Sequence, residues 1–110
     1  MTRSEQERFA DILHAIERCQ GYTQHLASGE LQEMAYDAVL RNLAVIGEAV
    51  RVLPSETRDR APEVPWGATA GLRNVVVHEY FRVDPAMIKD IVDNQLALML
   101  DELPQDAEEQ

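Results

Sequence analysis

A chain of 110 residues is long enough for one domain and too short for two ordinary hydrophobic cores. Its net charge of −10 argues against a generic nucleic-acid-binding protein, which is usually basic, and its single cysteine excludes an intramolecular disulfide. No apolar run is long enough to cross a membrane and the first residues do not resemble a signal segment, so we expect a cytoplasmic protein.

The first predicted helix covers about residues 5–27. Ser4 and Glu7 have the spacing of a capping box, in which two side chains satisfy the free N–H groups at the start of a helix. Apolar residues then recur at intervals of three and four, which is typical of one buried helical face. Cys19 continues this face and is expected to pack as a small apolar residue.

The second predicted helix covers about residues 30–53 and stops at Pro54. Its apolar residues fill an arc of about 180°, whereas a simple surface helix needs an arc of roughly 100°. We therefore expect burial on two sides, within the domain and against a second subunit. Asn42 lies near the middle of the arc, where its amide is either a structural hydrogen-bonding group or a support for a functional site. Glu48 is placed on the opposite, polar face.

The segment after Pro54 is predicted to be short and irregular. Ser55 can cap a helical turn at about residues 56–60. Two prolines then bracket Ala61–Val64, which we expect to form an extended connector because proline disfavours a helical conformation at the residue before it.

Two further long helices complete the chain. Pro65 suits the first position of a helix that begins near Trp66 and runs to about Tyr80. Asp84-Pro85 pairs an N-cap acid with a proline and starts the last helix, at about residues 85–103. Together the elements predict an all-α protein: an antiparallel four-helix bundle with an additional short helix. The helical domain would span residues 1–104, and residues 105–110 would be an acidic, flexible tail.

Four polar side chains share one flank of the third long helix: Arg73, Asn74, His78 and Tyr80. At 100° per residue they span about 160° of the helix surface. An arginine binds anions, a histidine moves protons near pH 7, and an asparagine can orient either of them. No carboxylate pair or second histidine has ligand spacing, so neither a metal site nor a cofactor is predicted.

This set suits the cleavage of RNA, which supplies its own nucleophile in the 2′-OH. A protein then has only to stabilise the charge on the phosphorus and to transfer a proton. A buried network of Arg73, Asn74 and His78 that merely ties helices together would use the same residue types. The residue types alone leave both interpretations open.

The segment Arg73-Asn74-x-x-x-His78-x-Tyr80 resembles the Arg-x-x-x-x-His-x-Tyr motif of the HepT-like family of HEPN domains. The similarity continues in the stretch from Asp37 to Ala49, in Pro65-Trp66, and in the residues after the motif up to Asp84. In order and spacing it extends over nearly the whole chain.

The resemblance implies a dimeric toxin of a type VII toxin–antitoxin system that cleaves RNA without a metal. Arg73 and His78 would be catalytic, Asn74 and Asn42 supporting, and two copies of the motif would face each other across the dimer. The implied antitoxin is an MntA-type nucleotidyltransferase, which silences the toxin by transferring AMP to the motif tyrosine, here Tyr80. The alternatives are a catalytically weak HEPN module that binds its nucleotidyltransferase partner or a nucleotide, and a purely structural helical dimer.

Overall fold

The computed structural model describes residues 3–27, 29–79 and 84–103, and gives the backbone alone for residues 3, 75 and 77–79. Throughout these residues all regular structure is helical, as the sequence predicts. The helices are α1 (Arg3–Tyr22), α2 (Gln32–Arg51), α3 (Ser55–Asp59), α4 (Trp66–Ala70), α5 (Leu72–Glu79), α6 (Pro85–Asp90) and α7 (Ala97–Glu102), with a 3₁₀ turn at Thr23–His25 and a π-helical segment at Ile91–Leu96.

One hydrophobic core joins these helices. Phe9, Ile12 and Ile16 of α1 are almost completely buried and belong to the same cluster as the inner face of α2. Helix α2 contacts α1 on one side and α4 and α5 on another, so it is the central element of the described structure. The four-helix bundle arrangement and the domain bounds of 1–104 stay predictions. The tail at 105–110 also stays a prediction, because it lies outside the described residues.

The apolar arc of α2 is only partly covered within one chain. Its inner side is buried, including Val39, Leu43 and Ile46. Its outer side leaves Met34, Val45 and Val52 between 42% and 69% exposed. The described residues of one chain therefore leave part of the arc exposed, and its burial against a second subunit stays a prediction.

Two predictions for the segment after α2 are wrong. Ser55 does not cap α3, because Pro54 holds the N-cap position and its carbonyl accepts from the N–H groups of the first turn. Ala61–Val64 is not an extended connector: Val64 N–H donates to the Ala61 carbonyl at 3.2 Å. This closes a four-residue turn with a proline at its second position, which the fixed φ of proline favours.

The third predicted helix is divided in two at Gly71. The N–H of Gly71 still donates to Gly67 in α4, and α5 then starts at Leu72. Its predicted end at Tyr80 lies outside the described residues. The last helix begins as predicted, since the Asp84 carboxylate accepts from Ala86 N–H at 2.8 Å. Helical dihedrals continue through Ile91–Leu96, so α6, the π-helical segment and α7 follow one another without a break.

The end of α1 and the start of α2 also differ from the prediction by a few residues. Helix α1 ends at Tyr22 and not near residue 27, because the chain tightens into the 3₁₀ turn. Helix α2 begins at Gln32, two residues later than predicted, after Gly29 has turned the chain with a positive φ of 103°. That conformation is readily available only to glycine.

Candidate functional site

The start of α5 lies directly on the backbone of α2. A Cβ atom built on Gly47 would lie 2.9 Å from the Arg73 backbone nitrogen and 3.2 Å from the Thr69 carbonyl oxygen. Ordinary side-chain carbon atoms do not approach backbone atoms so closely, so this contact requires glycine. A glycine inside a helix normally costs about 0.5–1 kcal/mol relative to alanine, and here it allows α2 to hold Arg73 in place.

A second set of contacts fixes α4, the helix before the site. The Thr69 hydroxyl is completely buried and donates to the Pro65 carbonyl at 2.8 Å. Its oxygen also accepts from Gln95 Nε2 at 3.1 Å. Since Gln95 belongs to the π-helical segment, these bonds connect the last helix to the element that precedes Arg73.

Of the two predicted catalytic residues, Arg73 is the one whose side chain the structure describes. Its side chain is 47% exposed, and its Nε lies 3.4 Å from Glu48 Oε2. The other oxygen of the same carboxylate, Oε1, lies 3.5 Å from Nη2 of Arg51. Glu48 is thus shared by two arginines, one on its own helix and one on α5.

The contact between Arg73 and Glu48 is an ion pair without the geometry of a hydrogen bond. Glu48 Oε2 is shielded from water and accepts no hydrogen bond from the described residues, although the Arg73 guanidinium is 3.4 Å away. The distance allows attraction between the charges, whereas a hydrogen bond also requires alignment of the N–H group. Because both side chains are half-exposed, the pair contributes at most about 1 kcal/mol to stability.

Of the other three predicted residues in the motif, the structure describes one side chain, one backbone position and not the third residue. Asn74 follows Arg73 on α5 and is exposed, while Leu72 points into the core. His78 lies on the same helix, five residues after Arg73, but only its backbone is described. Tyr80 lies outside the described residues. The roles of His78 and Tyr80 therefore stay predictions.

Asn42 makes a bond of the structural kind. It is buried, with 8% of its surface exposed, and its Nδ2 donates to the Ala38 carbonyl one turn earlier at 2.8 Å. This matches the first of the two roles that the sequence left open. A supporting role toward Arg73 or Asn74 stays a prediction.

Cys19 is a core residue. It is fully buried, its Sγ lies 3.9 Å from the Val39 carbonyl, and burial raises the pKa of the thiol to about 12. The thiol is therefore protonated near neutral pH, and a nucleophile needs the thiolate form. The expectation that Cys19 packs as a small apolar residue agrees with this environment.

Sequence reasoning missed the parts that α2 contributes to the site. The sequence pattern places Glu48 on the polar face of the second helix and indicates no role in the site for Gly47 or Arg51. A Glu48–Arg51 pair at i, i+3 can be read from the sequence. The approach of Arg73 cannot, because it depends on how α5 packs across α2.

The comparisons with known proteins agree on one family. The family model described as "Ribonuclease HepT-like" matches residues 12–106. The chain is 34% identical over 86 residues to "Probable ribonuclease HepT" from Thermococcus cleftensis, covering 76% of this chain and 78% of that protein. It is 36% identical over 88 residues to "Putative RNase MJ0127" from Methanocaldococcus jannaschii, covering 78% and 73% of the two chains.

A longer relative and the solved structures complete the comparison. The chain is 30% identical over 94 residues to "Gamma-glutamylcyclotransferase and putative RNase MJ0434" from M. jannaschii. That alignment takes in 84% of this chain and 42% of the relative, so the chain spans less than half of that protein. No solved structure matches the chain significantly. Within the described residues, no helix has both the length and the apolar composition that crossing a membrane requires.

Proposed function

The chain belongs to the HepT-like ribonuclease family, and on this basis we propose that it is a metal-independent RNA endonuclease, the toxin of a type VII toxin–antitoxin system. The observation that carries the proposal is the placement of Arg73. Its backbone is held against Gly47, its side chain is half-exposed, and His78 follows on the same helix. An anion-binding residue and a residue able to transfer protons therefore belong to one helix.

The proposed reaction is an internal transesterification of RNA. The 2′-oxygen attacks the adjacent phosphorus, its proton passes to His78, and the bond from phosphorus to the 5′-oxygen breaks as that oxygen takes up a proton. The products are a 2′,3′-cyclic phosphate and a free 5′-OH. Arg73 stabilises the negative charge that builds up on the phosphorane, and such preorganised charge is often the largest contribution to a rate enhancement. DNA lacks the 2′-OH, so it is not a substrate.

A direct experiment tests this activity. Purified, unmodified protein is incubated with total RNA in the presence of a metal chelator, and new RNA ends are mapped. The expected products carry a 2′,3′-cyclic phosphate and a 5′-OH. RNA that stays intact under these conditions, or that is cut only when divalent cations are added, would rule out metal-independent cleavage.

We also propose that AMP transferred to Tyr80 silences the protein, as the resemblance of the motif implies. A nucleotide on this tyrosine would add bulk and negative charge close to Arg73, where the RNA phosphate has to bind. Protein produced together with its nucleotidyltransferase is expected to exceed the mass of the chain by one or more AMP units. The Tyr80→Phe variant should remain unmodified and active in the presence of the antitoxin. An AMP adduct on Tyr80→Phe would show that another residue is the acceptor.

The exposed side of α2 is the proposed dimer interface. Met34 and Val45 of α2 lie at helical spacing with Leu31 and Val52, the residues at its two caps, and each of the four is at least 42% exposed in the single chain. A second copy would remove this apolar surface from water. Light scattering at micromolar concentration should give twice the chain mass of 12.4 kDa.

Matched variants test the location of this interface. Val45→Asp places a charge in the middle of the exposed side and is expected to give a monomer. Leu98→Asp introduces the same charge on α7 at a residue that is similarly exposed, at 40%, and should remain dimeric. A monomeric wild-type protein, or a dimeric Val45→Asp variant, would exclude this surface.

One observation favours a second function. Arg73 is paired with Glu48 in a chain of net charge −10, and both features reduce the attraction for RNA. The alternative is therefore a HEPN module of weak activity that binds its nucleotidyltransferase partner or a nucleotide. Formation of a complex with that partner, without RNA cleavage under any of the conditions above, would select it.

A further inference from the structure

The carboxylate of Glu48 links two arginines that are distant in the sequence. Its Oε1 lies 3.5 Å from Arg51 Nη2 and its Oε2 lies 3.4 Å from Arg73 Nε. The three side chains carry a net charge of +1 in a chain whose net charge is −10. They therefore form a cluster with one net positive charge, and one of its members is the proposed catalytic arginine.

These contacts contribute too little to the stability of the protein to explain the arrangement. The Arg51 side chain is 62% exposed and those of Glu48 and Arg73 are each 47% exposed, and ion pairs at such positions contribute about 0–1 kcal/mol. Arg51 also lies in the last turn of α2, where the helix dipole favours a cation by a similar amount. Neither effect requires Arg51 and Arg73 to share one carboxylate.

The contacts leave most of each guanidinium available to a ligand. A guanidinium has five N–H donors, and the contacts to Glu48 use only Nη2 of Arg51 and Nε of Arg73. Arginine binds phosphate through pairs of parallel N–H groups, which gives direction as well as strength. The negative charge of Glu48 lies between the two cations, so it disfavours one phosphate bound centrally and favours two phosphates bound on either side.

We propose that Arg51 is an additional RNA-binding residue, which contacts a phosphate next to the scissile one, with the Glu48 carboxylate lying between the guanidinium groups of Arg51 and Arg73. The ligand is single-stranded RNA, recognised through consecutive backbone phosphates. This proposal rests on the proposed ribonuclease function. Arg73 would act on the reacting phosphate, and Arg51 would set the register of the strand.

Binding to an uncleavable RNA tests the contact separately from catalysis. The probe is a 2′-O-methyl oligoribonucleotide, which lacks the nucleophile, and its affinity is measured by filter binding over a range of salt concentrations. Arg51→Gln is expected to weaken binding by about tenfold and to reduce the slope of log K against log [salt] by about 0.7, the value for one phosphate contact to a single strand. Arg51→Lys keeps the charge and should retain most of the slope.

Cleavage kinetics provide the second measurement. Arg51→Gln should raise the KM by about tenfold and leave the kcat within about twofold, because a contact made equally in the ground state and the transition state affects only binding. Arg18→Gln is the matched control, since it removes an exposed arginine from α1 and is expected to match the wild type. Thermal melting of both variants should be unchanged, which separates binding from folding.

The two proposals fail in different ways. If Arg51→Gln matches Arg18→Gln in affinity and salt slope while the wild type cleaves RNA, the role of Arg51 is wrong and the ribonuclease function stands. If the wild type binds the uncleavable RNA with a slope that depends on Arg51 but never cleaves RNA, the role of Arg51 stands and the ribonuclease function is wrong. A wild-type protein that does not bind the probe overturns the role of Arg51.

Discussion

Replacing Arg73 with alanine is expected to lower the kcat of RNA cleavage by about 10²- to 10³-fold, the loss seen when one preorganised group is removed from a developing charge. His78→Ala is expected to lose about 10²- to 10⁴-fold, the range for general acid–base catalysis. Because the two groups act on the same transition state, the double variant should lose far less than the product of the two single losses. Each variant is assayed with the same RNA substrate and chelator as the wild type.

Folding effects can be separated from catalytic ones at this site. Arg73 is half-exposed and its ion pair contributes at most about 1 kcal/mol, so Arg73→Ala should unfold close to the wild-type midpoint. Arg60→Ala removes another exposed arginine, at the C-cap of α3, and should retain full activity. Full activity of Arg73→Ala or of His78→Ala would exclude that residue from catalysis.

Gly47→Ala is expected to reduce the free energy of unfolding by about 1–3 kcal/mol, the usual cost of placing an additional carbon in a closely packed region. The new Cβ would lie 2.9 Å from the backbone nitrogen of Arg73, and that atom cannot move aside without moving α5. The substitution should therefore also lower cleavage, since it displaces the proposed catalytic residue. Chemical denaturation gives the loss of stability, and the RNA assay gives the loss of activity.

Gly21→Ala is the control for this substitution. It lies in α1, and a Cβ on Gly21 would have no described heavy atom within 4 Å apart from its chain neighbours and the nearby backbone of its own helix. The same chemical change should here increase stability by about 0.5–1 kcal/mol, because alanine loses less conformational entropy than glycine in a helix. If Gly47→Ala were as stable as the wild type, α2 would not hold the start of α5 as described.

Local sequence patterns predicted the elements whose cause is local. The apolar periodicity of α1 and α2 and the N-cap at Asp84 depend on residues a few positions apart, and the structure contains all three. The turn at Ala61–Val64 differs from the predicted extended connector although its signal is local, because that prediction uses only the effect of Pro62 on the residue before it. A proline at the second position of a turn explains the hydrogen bond from Val64 to Ala61.

The candidate site was predictable only in part, and the reason is distance along the chain. The motif identified Arg73, and the structure places it at the surface with its backbone against α2. The contribution of Gly47, Glu48 and Arg51 depends on α5 crossing α2 more than 20 residues later in the chain, and helical periodicity contains no information about such contacts. His78 and Tyr80 stay predictions from the motif.

The contact between α3 and the start of α4 includes a natural fluorescent probe of this chain. Its one tryptophan, Trp66, donates from Nε1 to the carbonyls of Arg58 and Ala61, both at 2.9 Å, and its ring is half-buried. One edge of the indole ring is therefore hydrogen-bonded, and the other packs against the core. Trp66 lies seven residues before Arg73 in the sequence. Its emission maximum reports on the packing of the segment that leads to the site, without a dye and without a change in the sequence.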